Sequence, residues 1–137
     1  MQTISNITAR YAETDKMGII HHSVYPIWFE VGRTDFLKQC GMKCSVMEKL
    51  GVMTPLISLE CKYISPAIYE DEVSVITTVS KISCAKITFD YKVIKREDNK
   101  TLVTGSTTHG FVNADTFKPI NLKKIMPLMY EKISKNM

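Results

Sequence analysis

The spacing of apolar and polar positions divides the chain into a strand-like start, a helical middle and a long run of strands. Residues 3–11 place Ile4 and Ile7 among β-branched and polar residues and predict a strand. Residues 12–22 follow neither period and contain Gly18, which predicts a loop. At Ser23 the period changes to that of a helix. Ser23 suits an N-cap, and Pro26 falls in the first turn, where a missing N–H costs little. Ile27, Trp28 and Val31 form one apolar stripe, and Phe29, Gly32, Phe36 and Cys40 form the next. Together they make a face too wide for a surface helix, so this helix is expected to be largely buried. Gly32 inside it costs about 1 kcal/mol relative to Ala, which implies a close approach by another backbone. Gly41 is a natural stop.

A second, short helix is expected from Ser45, where Ser45 and Glu48 have the spacing of a capping box, to Gly51. Strands follow at residues 54–64, 72–82, 86–97 and 101–112. Val73, Val75, Thr77 and Val79 share one face of the second of these, and Ile87, Phe89, Tyr91 and Val93 one face of the third. Ser65-Pro66-Ala67 breaks the run, and Asp98-Asn99 marks a turn. Residues 121–135 look helical, split at Pro127. The order β-α-α-β-β-β-β-α predicts an α+β fold in one domain, residues 1–137: a curved, five-stranded antiparallel sheet wrapped around one long central helix. Its outer face and edge strands would be bare in a monomer, so a homodimer or homotetramer is expected.

Composition narrows the functional classes. An apolar fraction of 45% can build a core, which excludes a disordered chain. The longest apolar stretches fall far short of the ~20 residues of a membrane helix, so no membrane span is expected. The first residues lack the basic and apolar regions of a secretory signal. The formal charge of +4 is a mild excess, enough for an anionic ligand and no argument for nucleic acid. Cys40, Cys44, Cys61 and Cys84 form no C-x-x-C pair, which fits free thiols in a reducing compartment and predicts a cytoplasmic protein. No metal site is expected, because Asp15, His21, His22 and His109 lack the spacing of a ligand set.

The loop before the long helix carries the candidate chemistry. Between Glu13 and Tyr25 it holds Asp15, Gly18, His21, His22 and Ser23, and it leads into a helix N-terminus. Unpaired N–H groups at such a start stabilise negative charge, and a carboxylate beside them can attack a carbonyl or activate water. Those parts suffice for acyl transfer to water. By residue type alone, Asp15 reads as an ordinary turn residue, and His109, on an alternating strand, reads as structural.

Residues 10–25, read as an aromatic strand end followed by D-x-x-G and then Tyr25, resemble the opening signature of the hot-dog-fold acyl-CoA thioesterases of the 4-hydroxybenzoyl-CoA thioesterase group. The helix segment from Phe29 to Leu37, the Ser65-Pro66-Ala67 turn with Asp71-Glu72-Val73, and the strand from Thr107 to Asn113 are similar to the same family, so the likeness spans roughly residues 8–125. The resemblance implies hydrolysis of an acyl-CoA thioester with no cofactor beyond the coenzyme A of the substrate. It implies Asp15 as nucleophile or general base, and His22 as the residue whose backbone N–H polarises the carbonyl. It implies Gly18, Ser23 and Tyr25 as substrate-binding residues. In the family the site lies between protomers, which implies that Leu59 and Glu60 face the acyl group and that Ser83 and Lys86 contact pantetheine or phosphate. Two departures stand out. His21 occupies a position that is often apolar, and residues 81–86 lack an Arg-Gly-Thr type turn. Two other readings share the fold: a non-catalytic acyl-CoA-binding protein or sensor, and a hydratase or dehydratase using His22 and Glu30.

Overall fold

Strand β1 (Gln2–Thr8) leads through a single 3-10 turn (Tyr11–Glu13) and a loop to the long helix α1 (Val24–Gln39) and the short helix α2 (Cys44–Lys49). Six strands follow: β2 (Val52–Met53), β3 (Leu56–Tyr63), β4 (Glu72–Ile82), β5 (Lys86–Lys95), β6 (Thr101–Gly110) and β7 (Val112–Asn113). Helices α3 (Leu122–Ile125) and α4 (Pro127–Lys135) close the chain. This computed structural model describes residues 1–137. The five long strands form one antiparallel sheet in the order β1-β4-β5-β6-β3, with α1 packed on its inner face. The expected α+β architecture is the one observed.

Side-chain alternation explains why the sheet accepts the helix. Val73, Val75, Thr77 and Val79 of β4 are buried, as are Ile87, Phe89, Tyr91 and Val93 of β5. On the opposite face, β4 to β6 present mainly Ser, Thr and charged residues, which need no cover. From α1, Trp28, Phe29, Gly32 and Phe36 face the sheet. Phe29 stacks on Tyr91 with ring centroids 4.3 Å apart, and a Cβ on Gly105 would come within 2.6 Å of its ring. Gly32 makes the close approach expected of it, although against side chains. A Cβ there would collide with the Thr77 hydroxyl and lie 3.0 Å from Val75 Cγ1.

Several local expectations are corrected. The wide apolar face of α1 is covered only in part: Trp28, Phe29, Gly32 and Phe36 are buried, whereas Ile27 is 57% and Val31 39% exposed, turned away from the sheet. On β1 the alternation runs opposite to hydropathy. Thr3 and Ser5 point inward while Ile4 is exposed, and the Ser5 hydroxyl donates to Asp35 Oδ2 of α1 at 2.5 Å. β1 ends at Thr8 rather than residue 11. Helix α2 begins one residue earlier than its sequence suggests, with Lys43 at the N-cap, so the Ser45–Glu48 capping box does not form. The strand expected at 54–64 begins at Leu56. Met53 and Val52 pair with Val112 and Asn113 in a separate two-residue ribbon. Pro55, which has no N–H to donate, lies between the two strands. Pro127 separates α3 from α4 and occupies the first turn of α4, as expected.

Candidate active site

The loop from Glu13 to Ser23 is tied at both ends and folded on itself. Glu13 is only 7% exposed, and its carboxylate accepts from the Arg10 N–H at 2.8 Å and from Trp28 Nε1 at 3.1 Å. Its carbonyl accepts from the His21 N–H at 2.9 Å. Between these anchors Asp15 begins a tight turn. Its N–H donates to Ile19, its carbonyl accepts from Gly18, and its Oδ1 accepts from the Met17 N–H at 2.8 Å. Gly18 has φ +81°, which accounts for glycine at this position. A side chain at 18 would meet nothing within 4 Å. The Ile20 N–H donates to Ala67 at 2.9 Å, which docks the loop on the Ser65-Pro66-Ala67 turn.

Asp15, His22 and Tyr25 line one cavity of about 280 Å³, whose other walls include Ile19, Tyr63, Ile64 and Pro66. The volume suits the thioester end of a ligand, with the bulk of a large molecule outside. Asp15 is half-buried, and its Oδ2 makes no hydrogen bond within the chain. The His22 carbonyl accepts from the Tyr63 hydroxyl at 2.9 Å, while the N–H groups of His22 and Tyr25 have no acceptor within the chain. These are unpaired donors at the start of a sixteen-residue helix, where the dipole favours an anion. Tyr25 is buried, with its ring edge-on to Trp28 and Tyr63, and its hydroxyl accepts from the Ala67 N–H at 3.4 Å. Burial raises the pKa of its phenol above the usual value, so it is neutral at pH 7.

The remaining sequence-expected residues lie elsewhere in the chain. Ser23 does not line the cavity; its hydroxyl and N–H both engage Nδ1 of His21, at 2.7 and 3.1 Å, and the hydroxyl does not cap α1. The His21 and His22 rings lie 4.1 Å apart. Leu59 and Glu60 are exposed on the edge strand β3, away from Asp15. Ser83 shapes the β4–β5 turn, accepting from the N–H groups of Ala85 and Lys86, and Lys86 is exposed. Two site residues were missed from the sequence. Glu13 anchors the loop, and its burial has no periodic signal. Tyr63 bridges to the helix start, and its position just before the Ser65-Pro66-Ala67 break was the available hint.

Comparison with known proteins gives these parts a context. A family model described as the thioesterase-like superfamily matches residues 9–130. The Bacillus subtilis protein named "Putative acyl-CoA thioesterase YneP" is 35% identical over 132 residues, spanning 94% of this chain and 95% of that protein. The structure of DHNA-CoA thioesterase from Staphylococcus aureus superposes with a TM-score of 0.94 at 38% identity, covering 98% of this chain and 90% of that one. A hypothetical protein from Thermus thermophilus superposes with a TM-score of 0.86 at 31% identity, over 97% and 98% of the two chains. With the family matched over most of its length and the five-stranded sheet around one helix in place, the chain belongs to the thioesterase-like superfamily and is a thioester hydrolase with the hot-dog fold.

Proposed function

We propose that this protein hydrolyses an acyl-CoA thioester at the cavity before α1, with Asp15 as the carboxylate that drives attack. One observation carries the reading: Asp15 shares a cavity with the start of α1, where the N–H groups of His22 and Tyr25 lack acceptors. The thioester carbonyl oxygen lies against those amides, which stabilise the oxyanion as it forms. Asp15 takes a proton from water, the water oxygen bonds to the carbonyl carbon, the C–S bond breaks, and the departing thiolate takes up a proton. Direct attack by Asp15 uses the same geometry. Label in the Asp15 carboxylate after a single turnover in ¹⁸O-water identifies the direct route, because it requires an acyl-enzyme anhydride opened by water at the Asp15 carbonyl. An aromatic acyl group is supported by the likeness to a protein named DHNA-CoA thioesterase and by the Tyr25 and Tyr63 rings at the cavity.

The protein acts as a homodimer, or a tetramer built from one, through β3. That reading is supported by Leu56, Ile57, Leu59 and Tyr63 exposed on an edge strand, with Ile27 of α1 lining a groove beside Leu56 and Leu59. In such an assembly Leu59, Glu60, Ser83 and Lys86 are available to a neighbour's substrate. Its reducing, cytoplasmic setting is supported by four unpaired cysteines.

The test is Asp15→Asn against a panel of aryl- and fatty-acyl-CoA substrates, with released thiol read by DTNB. The variant is expected to keep its circular dichroism spectrum and lose at least about 100-fold in kcat, the scale of a general base. Activity near that of the parent protein refutes the role of Asp15. Binding of acyl-CoA by the parent protein without thiol release refutes hydrolysis in favour of a sensor.

A further inference from the structure

Pro26 leaves a gap in the hydrogen bonding at the start of α1. Ser23 already has helical angles, φ −72° and ψ −12°. The His22 carbonyl would then accept from the N–H four residues on, but that residue is Pro26, which has none. The Tyr63 hydroxyl, at the end of β3, donates to this carbonyl instead, at 2.9 Å. The N–H of the same peptide belongs to Ser23, and it donates to Nδ1 of His21 at 3.1 Å. Both polar groups of the His22–Ser23 peptide are therefore held by side chains, one from the sheet and one from the loop.

Each holding group is itself fixed. The Tyr63 ring lies edge-on to Tyr25, with centroids 5.6 Å apart. A backbone N–H can only donate, so Nδ1 of His21 is the acceptor and the ring hydrogen sits on Nε2. The Ser23 hydroxyl lies 2.7 Å from the same nitrogen, and the His21 ring packs against that of His22. The His21 carbonyl accepts from the Val24 N–H at 3.0 Å, and the His21 N–H donates to Glu13 at 2.9 Å. His21 thus takes up the N–H groups of Ser23 and Val24, and those of His22 and Tyr25 stay free. Donors stabilise an oxyanion most when they are oriented before it forms. The His22–Ser23 peptide lies between the two free donors, so its freedom to rotate would change the direction of one relative to the other.

We propose that Tyr63 and His21 are positioning residues that clamp the His22–Ser23 peptide and so keep the free amides of His22 and Tyr25 aimed at one point. The clamp gives a reason for histidine at position 21, where an apolar ring would fill the space and accept no hydrogen bond. Its part in turnover rests on the hydrolysis proposed above, whereas the clamp itself is read without substrate.

The experiment compares the parent protein with Tyr63→Phe, His21→Phe and His21→Asn. The Asn side-chain oxygen stands close to the place of Nδ1 and can accept the Ser23 N–H. Both phenylalanine variants are expected to keep the circular dichroism spectrum and to lose about tenfold in kcat with KM within about twofold, the scale of one neutral hydrogen bond that counts in the transition state. His21→Asn is expected to stay within about threefold of the parent kcat. Without substrate, hydrogen exchange at the Ser23 amide, followed by ¹⁵N NMR, is expected to be about tenfold faster in His21→Phe than in the parent and to slow again in His21→Asn. A kcat near that of the parent in either phenylalanine variant overturns the proposal. So does a His21→Asn protein as slow as His21→Phe, or equal Ser23 exchange in the parent and both His21 variants. Failure of the hydrolysis is told apart from failure of the clamp, because a parent protein that releases no thiol still reports the clamp through exchange.

Discussion

Replacing Glu13 with Gln tests whether the loop carrying Asp15 is positioned by one buried carboxylate. The two side chains have nearly the same shape, so packing is preserved. Glu13 accepts one N–H at each oxygen, from Arg10 at 2.8 Å and from Trp28 at 3.1 Å. Gln keeps one acceptor and turns the other into an NH2 group that faces a donor. One hydrogen bond to a charged acceptor is lost, worth roughly 1.5–3 kcal/mol, and a buried N–H is left unpaired. The ion pair with Arg10, at 3.5 Å and 73% exposed on the Arg side, adds little. A loss of about 2 kcal/mol lowers Tm by roughly 5–12 °C for a chain of this size. Because the Glu13 carbonyl also holds the His21 N–H, the helix start shifts with it, and kcat should fall while KM changes less. Thermal unfolding by circular dichroism and steady-state thiol release measure the two effects. A variant with Tm within about 1 °C of the parent and an unchanged kcat refutes the positioning role. Asp15→Asn gives the contrasting pattern, with activity lost and Tm retained.

Three further outcomes follow from the packing. Gly32→Ala gains about 1 kcal/mol of helix propensity, but its methyl meets Thr77 and Val75, at an overpacking cost of roughly 1–3 kcal/mol. The urea midpoint is therefore expected to fall and to recover partly in Gly32→Ala, Thr77→Ala; a rise in the single variant contradicts the close approach. The pKa of His109 is lowered by burial, so its unfolded form binds a proton first: the stability it contributes is present above pH 6.5 and is lost as pH falls toward the depressed value. His109→Gln should flatten the difference in urea midpoint between pH 7 and pH 5, and an equal difference in both proteins refutes this. Ile57→Lys puts a charge on the exposed edge of β3 and should shift the protein toward monomer in sedimentation velocity, whereas an unchanged sedimentation coefficient argues against assembly through that edge.

Regular elements were legible in the sequence because their periods are local. The alternation in β4 and β5 correctly assigned eight inward residues, and the 3.6 period located α1. The turn at Asp15 was legible for the same reason. An Asp whose side chain caps its own turn and a Gly at positive φ act over four residues. The sequence alone could not say that Ile27 and Val31 would stay uncovered while Trp28 was buried, since that depends on where the sheet lies. Nor could it foresee that Thr3 and Ser5 would turn inward on β1, where Asp35 of α1 rewards a hydroxyl. The β2–β7 ribbon is too short to have a period. The cavity itself joins Asp15 and His22 to Tyr63 and Pro66, some forty residues further along, and a groove beside α1 joins Arg33 to His109 across the sheet. Local backbone preferences decided the turns, helices and strands; the joining of distant side chains into cavities was decided by α1 settling on the sheet, where the fit of Phe29 and Gly32 against β4, β5 and β6 sets what lies beside what.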